Sequence, residues 1–179
     1  MAYLKKYFSI FSLFILLFVA CSSDSNSNED VANAKGVITL SGEETSILGN
    51  SLNVANAVEG LYQTGTGKSV TLLHKSIGVD SNGEINPTEA SFTNSFIIVT
   101  AQFESGDNAS VHKAISMTII KNGEEYLFTC TAIEGENVDD DCGSNFLVDQ
   151  ENKRVVFDNT TVINTDSGKV LTMDGIITW

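Results

Sequence analysis

The run TGTGKSVTLL brings Gly67, Lys68 and Ser69 together, residue types that grip phosphate when a loop presents them properly. A phosphate loop needs a glycine five residues before the Gly-Lys pair, a strand ahead of it, and a helix whose amino terminus faces the anion. Position 62 is Tyr, and VTLLHK after Ser69 reads as a strand, so no helix dipole follows. The run is therefore expected to be a hairpin turn, and no nucleotide is expected as a partner.

Carboxylates are the next residues with chemistry to offer. EGENVDDDCGSN holds Glu134, Glu136, Asp139, Asp140 and Asp141. Calcium takes six to eight oxygens, and clustered carboxylates with nearby carbonyls supply them, so Glu136, Asp139, Asp140 and Asp141 are calcium candidates. Against this, neighbouring acidic side chains diverge, and three in a row more simply make a solvated loop. DSNGEIN places Asp80, Asn82, Glu84 and Asn86 at alternating positions, like the start of a calcium-binding helix-loop-helix. Its glycine falls two places early, Ser91 stands where a bidentate Glu belongs, and no helices flank it. No metal or other cofactor is expected beyond this calcium option.

Nucleophiles and bases are sparse. The two histidines, His74 and His112, lie in or beside strand-like runs, and neither a GxSxG nor an HExxH pattern occurs. Nothing selects one carboxylate pair for glycoside hydrolysis from the many acids present. No catalytic residue is assigned, and an enzyme is not expected. Cys130 and Cys142 are an even pair once Cys21 is set aside, and in an exported chain they are expected to form a disulfide. A metal site would want four soft ligands, and no histidine neighbours either cysteine in sequence.

The elements that must position these residues are strands. GVITL, SVTLLHKSI, SFIIVTAQF, ISMTIIK, EEYLFTCTA, RVVFDNTTVIN and KVLTMDGIITW are rich in β-branched and aromatic residues and are separated by Gly, Asn, Asp and Ser. NSLNVANAVEG is the one window with some helical character, and Pro87 stands in the longest interior loop, VDSNGEINPTEAS. Asn122-Gly123 is a two-residue hairpin signal, because both residues tolerate positive φ. With Lys121 opposite Glu124, Ile119 faces Tyr126, Met117 faces Phe128 and Ile115 faces Cys130, all on one side of the pair. At the carboxy-terminal end, TDSG turns one strand into the next, and Leu171, Met173, Ile177 and Trp179 share a face with Gly175 among them. An all-β fold follows: an antiparallel β-sandwich is favoured for its uneven strands and long loops, with a small up-and-down β-barrel as the alternative. A membrane-spanning barrel is not expected, since most strands are followed by acids.

The amino terminus supplies an address. Lys5 and Lys6 precede an apolar run from Tyr7 to Ala20, too short to span a bilayer comfortably and ended by small residues like a secretory signal. The run closes in FVAC, which resembles the lipobox of bacterial lipoproteins, except for Phe18 where Leu or Val is usual. That resemblance implies cleavage before Cys21 and lipid attachment to it. SSDSNSNEDVANAK follows, too poor in apolar side chains to offset its ordering entropy, and so is expected to be a flexible tether. With Asp24, Glu29 and Asp30, this tether resembles the acidic export signal of surface lipoproteins of the Bacteroidetes group. The ending TTVINTDSGKVLTMDGIITW loosely resembles small β-rich lipoproteins of the same group, a resemblance that brings no activity with it.

The expected organisation is a signal peptide over 1–20, lipidated cysteine and tether over 21–35, and one all-β domain over 36–179. Removing residues 1–20 takes away two lysines and no acids, so the net charge falls from −13 to −15. Such a charge disfavours nucleic acid, whose phosphates need Lys and Arg. The expected partners are the membrane, through the lipid, and a protein or glycan ligand. The functional expectation is an outer-membrane or cell-surface lipoprotein that binds without catalysis. An inhibitor or immunity-type protein using its acidic loops, or a small hydrolase, is the alternative.

Overall fold

The structure is a computed structural model and describes residues 31–60, 64–81, 84–104, 111–133, 142 and 146–179. Its strands are β1 (Val31–Gly42), β2 (Ser51–Glu59), β3 (Lys68–His74), β4 (Ile77–Val79), β5 (Ile85–Pro87) and β6 (Asn94–Gln102), followed by β7 (Val111–Lys121), β8 (Glu124–Ile133), β9 (Leu147–Asp149), β10 (Arg154–Asn164) and β11 (Val170–Thr178). A single-turn helix, α1 (Thr45–Leu48), joins β1 to β2. NSLNVANAVEG is not helical. It forms β2, since Leu52, Val54 and Ala57 are needed in the core and are held there by pairing with β1 and β3.

Every consecutive pair among β1, β2, β3, β6, β7, β8, β10 and β11 is antiparallel, and β11 returns to β1, closing an eight-stranded up-and-down barrel. The fold is all-β, and of the two architectures open to it the barrel forms instead of the favoured sandwich. Inward-outward alternation is identical in both, so the choice rests on whether the last strand reaches the first. It does, with Lys35 opposite Thr178 and Leu40 opposite Met173. Closure leaves neither strand with an unpaired edge. Apolar side chains fill the interior: Ile38, Leu72, Ile98, Met117, Phe128, Phe157, Leu171 and Ile177 are all buried. An apolar inside is the reverse of a membrane-spanning barrel, whose apolar band faces outward.

The hairpin of β7 and β8 has the expected register, from Ile115 opposite Cys130 to Lys121 opposite Glu124. Asn122 and Gly123 take the positive φ angles that its turn requires, 54° and 82°. On β11, Leu171, Met173 and Ile177 are buried and Trp179 packs against the core. The domain boundary drawn from composition at Gly36 falls inside β1, which begins at Val31. The signal peptide, Cys21 and residues 22–30 of the tether lie outside the described residues.

The two barrel ends differ. The entry end, where β1 begins, also holds the starts of β3, β7 and β10. Along the edge of β10, Asn164 and Ile163 pair with β8, while Arg154, Val155 and Val156 pair with β9. From there β9 reaches across the entry end. The Val148 N–H donates to Gln102 Oε1 at 3.2 Å, and Gln150 Nε2 donates to the Ser69 carbonyl at 3.2 Å. Beneath it Phe146 stacks on Phe157 at 5.8 Å, and Cys142 is buried in a disulfide with Cys130. This end is stoppered.

β3 explains itself only in three dimensions. Five consecutive residues, Ser69 to Leu73, are buried, so the strand is covered on both faces. The outer cover is the hairpin of β4 and β5, folded from the long loop around Pro87. Ile77, Val79 and Ile85 pack there against Val58, Leu73 and Ile97, outside the barrel wall.

Candidate ligand-binding cleft

The far end of the barrel carries an open cleft of about 130 Å³ where the ends of β2, β3, β6 and β7 meet below α1. Its floor is apolar, with Leu48, Leu52, Phe96 and Ile119, all buried core residues. Its rim is polar and includes Asn53, His74, Asn94 and Lys121. At about 130 Å³ the cleft has the volume of a single small ring, but it is open at its mouth and more of its surface is polar than apolar.

Each rim residue is placed by local structure. His74 is the last residue of β3, and its ring meets Phe96 edge-on with centroids 5.5 Å apart. Its Nδ1 accepts the Ser76 N–H at 3.2 Å and lies 2.8 Å from Ser76 Oγ. With Nδ1 accepting, the neutral ring carries its proton on Nε2 and keeps that nitrogen as a donor. Burial, and then repulsion by Lys75, lower the pKa of His74 below its ordinary value. Both effects hold the imidazole neutral. Asn94 opens β6, and its Oδ1 accepts the Asn122 N–H at 3.3 Å, which leaves its amide hydrogens as donors. Lys121 ends β7, half-buried, and among the described residues its ammonium has no ion-pair partner.

Electrostatically the cleft contrasts with the whole chain. Acids outnumber Lys and Arg by 23 to 10 in the sequence, yet among the described residues no Asp or Glu lines the cleft. The groups gathered at the rim include the donors of His74 and Asn94, the Ser95 hydroxyl and the Lys121 cation.

The residues singled out from sequence fall elsewhere, with one exception. Gly67, Lys68 and Ser69 lie at the turn into β3. Lys68 opens the strand and pairs with Glu104, and Ser69 is buried opposite Ala101, so this run is a strand entrance with no helix behind it. Asp80 Oδ1 accepts the Glu84 N–H at 2.9 Å, closing the turn between β4 and β5, while Asn86 pairs with Gly78. Asn82 lies outside the described residues, as do Glu134, Glu136, Asp139, Asp140 and Asp141. Among the described residues no three His, Cys, Asp or Glu gather as a metal-binding group. Cys130 and Cys142 are bonded, with Cα atoms 5.1 Å apart. His112, near the start of β7, is at the entry end, far from His74, so the histidines share no site.

His74 is the exception: it lines the cleft. Asn53, Asn94 and Lys121 were not anticipated. Each is a polar residue at or near a strand end, and only their convergence around the barrel mouth marks them. In comparisons with known proteins, no family model, curated protein or solved structure matches this chain.

Proposed function

We propose that this chain is a lipid-anchored binding module of the outer membrane, held through Cys21 and exposing its far end to the surroundings, with no catalytic step of its own. One observation carries the reading: the open cleft stands at the barrel end opposite the start of β1. The tether joins at the stoppered end, so a chain anchored through Cys21 presents the cleft away from its attachment. A rigid barrel that exposes a shaped mouth suits recognition.

The test is a binding screen with the full mature chain in detergent micelles, on glycan arrays and in pull-downs from cell envelopes, alongside mass analysis of the amino-terminal peptide. Saturable binding together with acylated Cys21 is the expected result. No binding on either platform defeats the module reading, and an unmodified Cys21 defeats the anchor.

A further inference from the structure

We infer that the far-end cleft is a binding site for a small carboxylate, one whose body is no larger than a single six-membered ring and whose acid group meets Lys121, Asn94 and His74 at the rim. The inference rests on the binding-module reading and gives it a ligand class.

Three independent features converge on this chemistry. The cleft, of about 130 Å³, admits a compact body, to which Leu48, Leu52, Phe96 and Ile119 offer a small apolar contact between the polar groups. At the rim His74 and Asn94 present donors, while the Ser95 hydroxyl, whose hydrogen goes to the Ser91 carbonyl, presents an acceptor. Nδ1 of His74 is occupied by Ser76, which leaves Nε2–H, and Oδ1 of Asn94 is occupied by Asn122, which leaves its amide hydrogens. Lys121 adds a full positive charge, and charge-assisted bonds to a carboxylate are about twice as strong as neutral ones. The local field has the same sign. Lys75 lies close enough to His74 to repel a proton from it, while Glu124 stands opposite Lys121 across the hairpin without lining the cleft. The field of the distant acids is screened beyond about 8 Å at physiological salt, so the groups near the rim, Lys121 and Lys75 with Glu124 beside them, decide what binds.

A neutral sugar alcohol would find donors but few acceptors, and a cation would meet Lys121. A carboxylate satisfies the donors and the charge together.

The two histidines make the test specific, because His74 sits on the cleft and His112 at the opposite end. The full mature chain in micelles is titrated with benzoate and D-glucuronate, and with benzyl alcohol and D-glucose as neutral counterparts. The imidazole proton resonances are followed, and a His74→Gln variant identifies which signal is which. The expected result is a saturable shift of the His74 signal with at least one acid, with its neutral counterpart about tenfold weaker or worse, corresponding to the loss of one charge-assisted contact. The His112 signal stays in place. Lys121→Gln, a change at the half-buried end of β7 that leaves the Asn122-Gly123 turn in place, weakens the acid by a similar factor, and Asn94→Ala does so by less. Equal binding of acid and neutral counterpart overturns the inference. So does an unchanged affinity in Lys121→Gln, parallel movement of both histidines, or no saturable shift with any probe. If the cleft fails while the envelope or array screen succeeds, the module binds through another surface and only the ligand assignment falls.

Discussion

Gly175 on β11 and Val37 on β1 approach so closely that a β-carbon on the glycine would stand 2.4 Å from the Val37 carbonyl oxygen. The relation is reciprocal along the same seam: a β-carbon on Gly36 would stand 2.5 Å from the carbonyl oxygen of Ile176. Both glycines have φ near +155°, a region that L side chains rarely adopt. They sit where the last strand bends to meet the first, and their missing side chains are what permits closure.

Gly175→Ala is therefore expected to lower stability by about 1–3 kcal/mol from backbone conformation alone, with the steric overlap adding to it. Gly67→Ala, where a β-carbon meets nothing within 4 Å, should be close to neutral. Urea denaturation of the two variants checks this. Equal midpoints would show that the seam is not closed in this way.

The disulfide pins the segment that stoppers the entry end, across a sequence separation of 12. Replacing both Cys130 and Cys142 by Ser is expected to cost about 3 kcal/mol on the chain-entropy account. The same change should abolish any effect of reductant on the denaturation midpoint. A wild-type midpoint indifferent to reductant would count against the bond.

Glu59 links three strands. Its Oε1 accepts from Lys153 Nζ at 2.5 Å and from Trp179 Nε1 at 2.7 Å, tying β2 to the residues flanking β10 and β11. Glu59→Gln keeps an oxygen for the indole and removes only the charge, so the expected loss is within about 1 kcal/mol, as for other exposed pairs. Glu59→Ala removes both contacts and should shift the emission of Trp179, the sole tryptophan, to longer wavelength. Fluorescence identical in the two variants would show that the indole bond does not form.

His74 makes stability depend on pH. Burial and Lys75 hold its folded pKa below the ordinary 6.5. As pH falls, the unfolded chain takes up the proton first, so stability is greatest above pH 6.5 and is lost on going below it toward the folded value. Denaturation midpoints between about pH 7.5 and pH 5 should fall less in His74→Gln than in wild type. Parallel curves would remove His74 as the cause.

The β7–β8 hairpin was legible residue by residue because its information is local: Asn122-Gly123 sets the turn, and period-two alternation then sets which side chains pair. The burial of Leu171, Met173 and Ile177 was legible for the same reason. β3 was legible as a strand, but its unbroken run of buried residues had no local explanation, since the covering hairpin lies beyond its own sequence. β2 read faintly as a helix because its alanines and asparagines are poor strand formers. Pairing on both sides overrode that preference.

By itself, then, the chain's order of residues determined that it would be a succession of antiparallel strands, with the inward faces and the cysteine pairing already specified. Those properties depend on neighbours in sequence and on one even pair of thiols. Tertiary structure alone decided that the strands close into a barrel, that β9 stoppers one end, and that Asn53, His74, Asn94 and Lys121 ring the other. Closure depends on β1 meeting β11 across the whole length of the domain, and the cleft on the ends of four successive strands, paired from β2 to β7, meeting below α1. Neither distance is written in any local pattern.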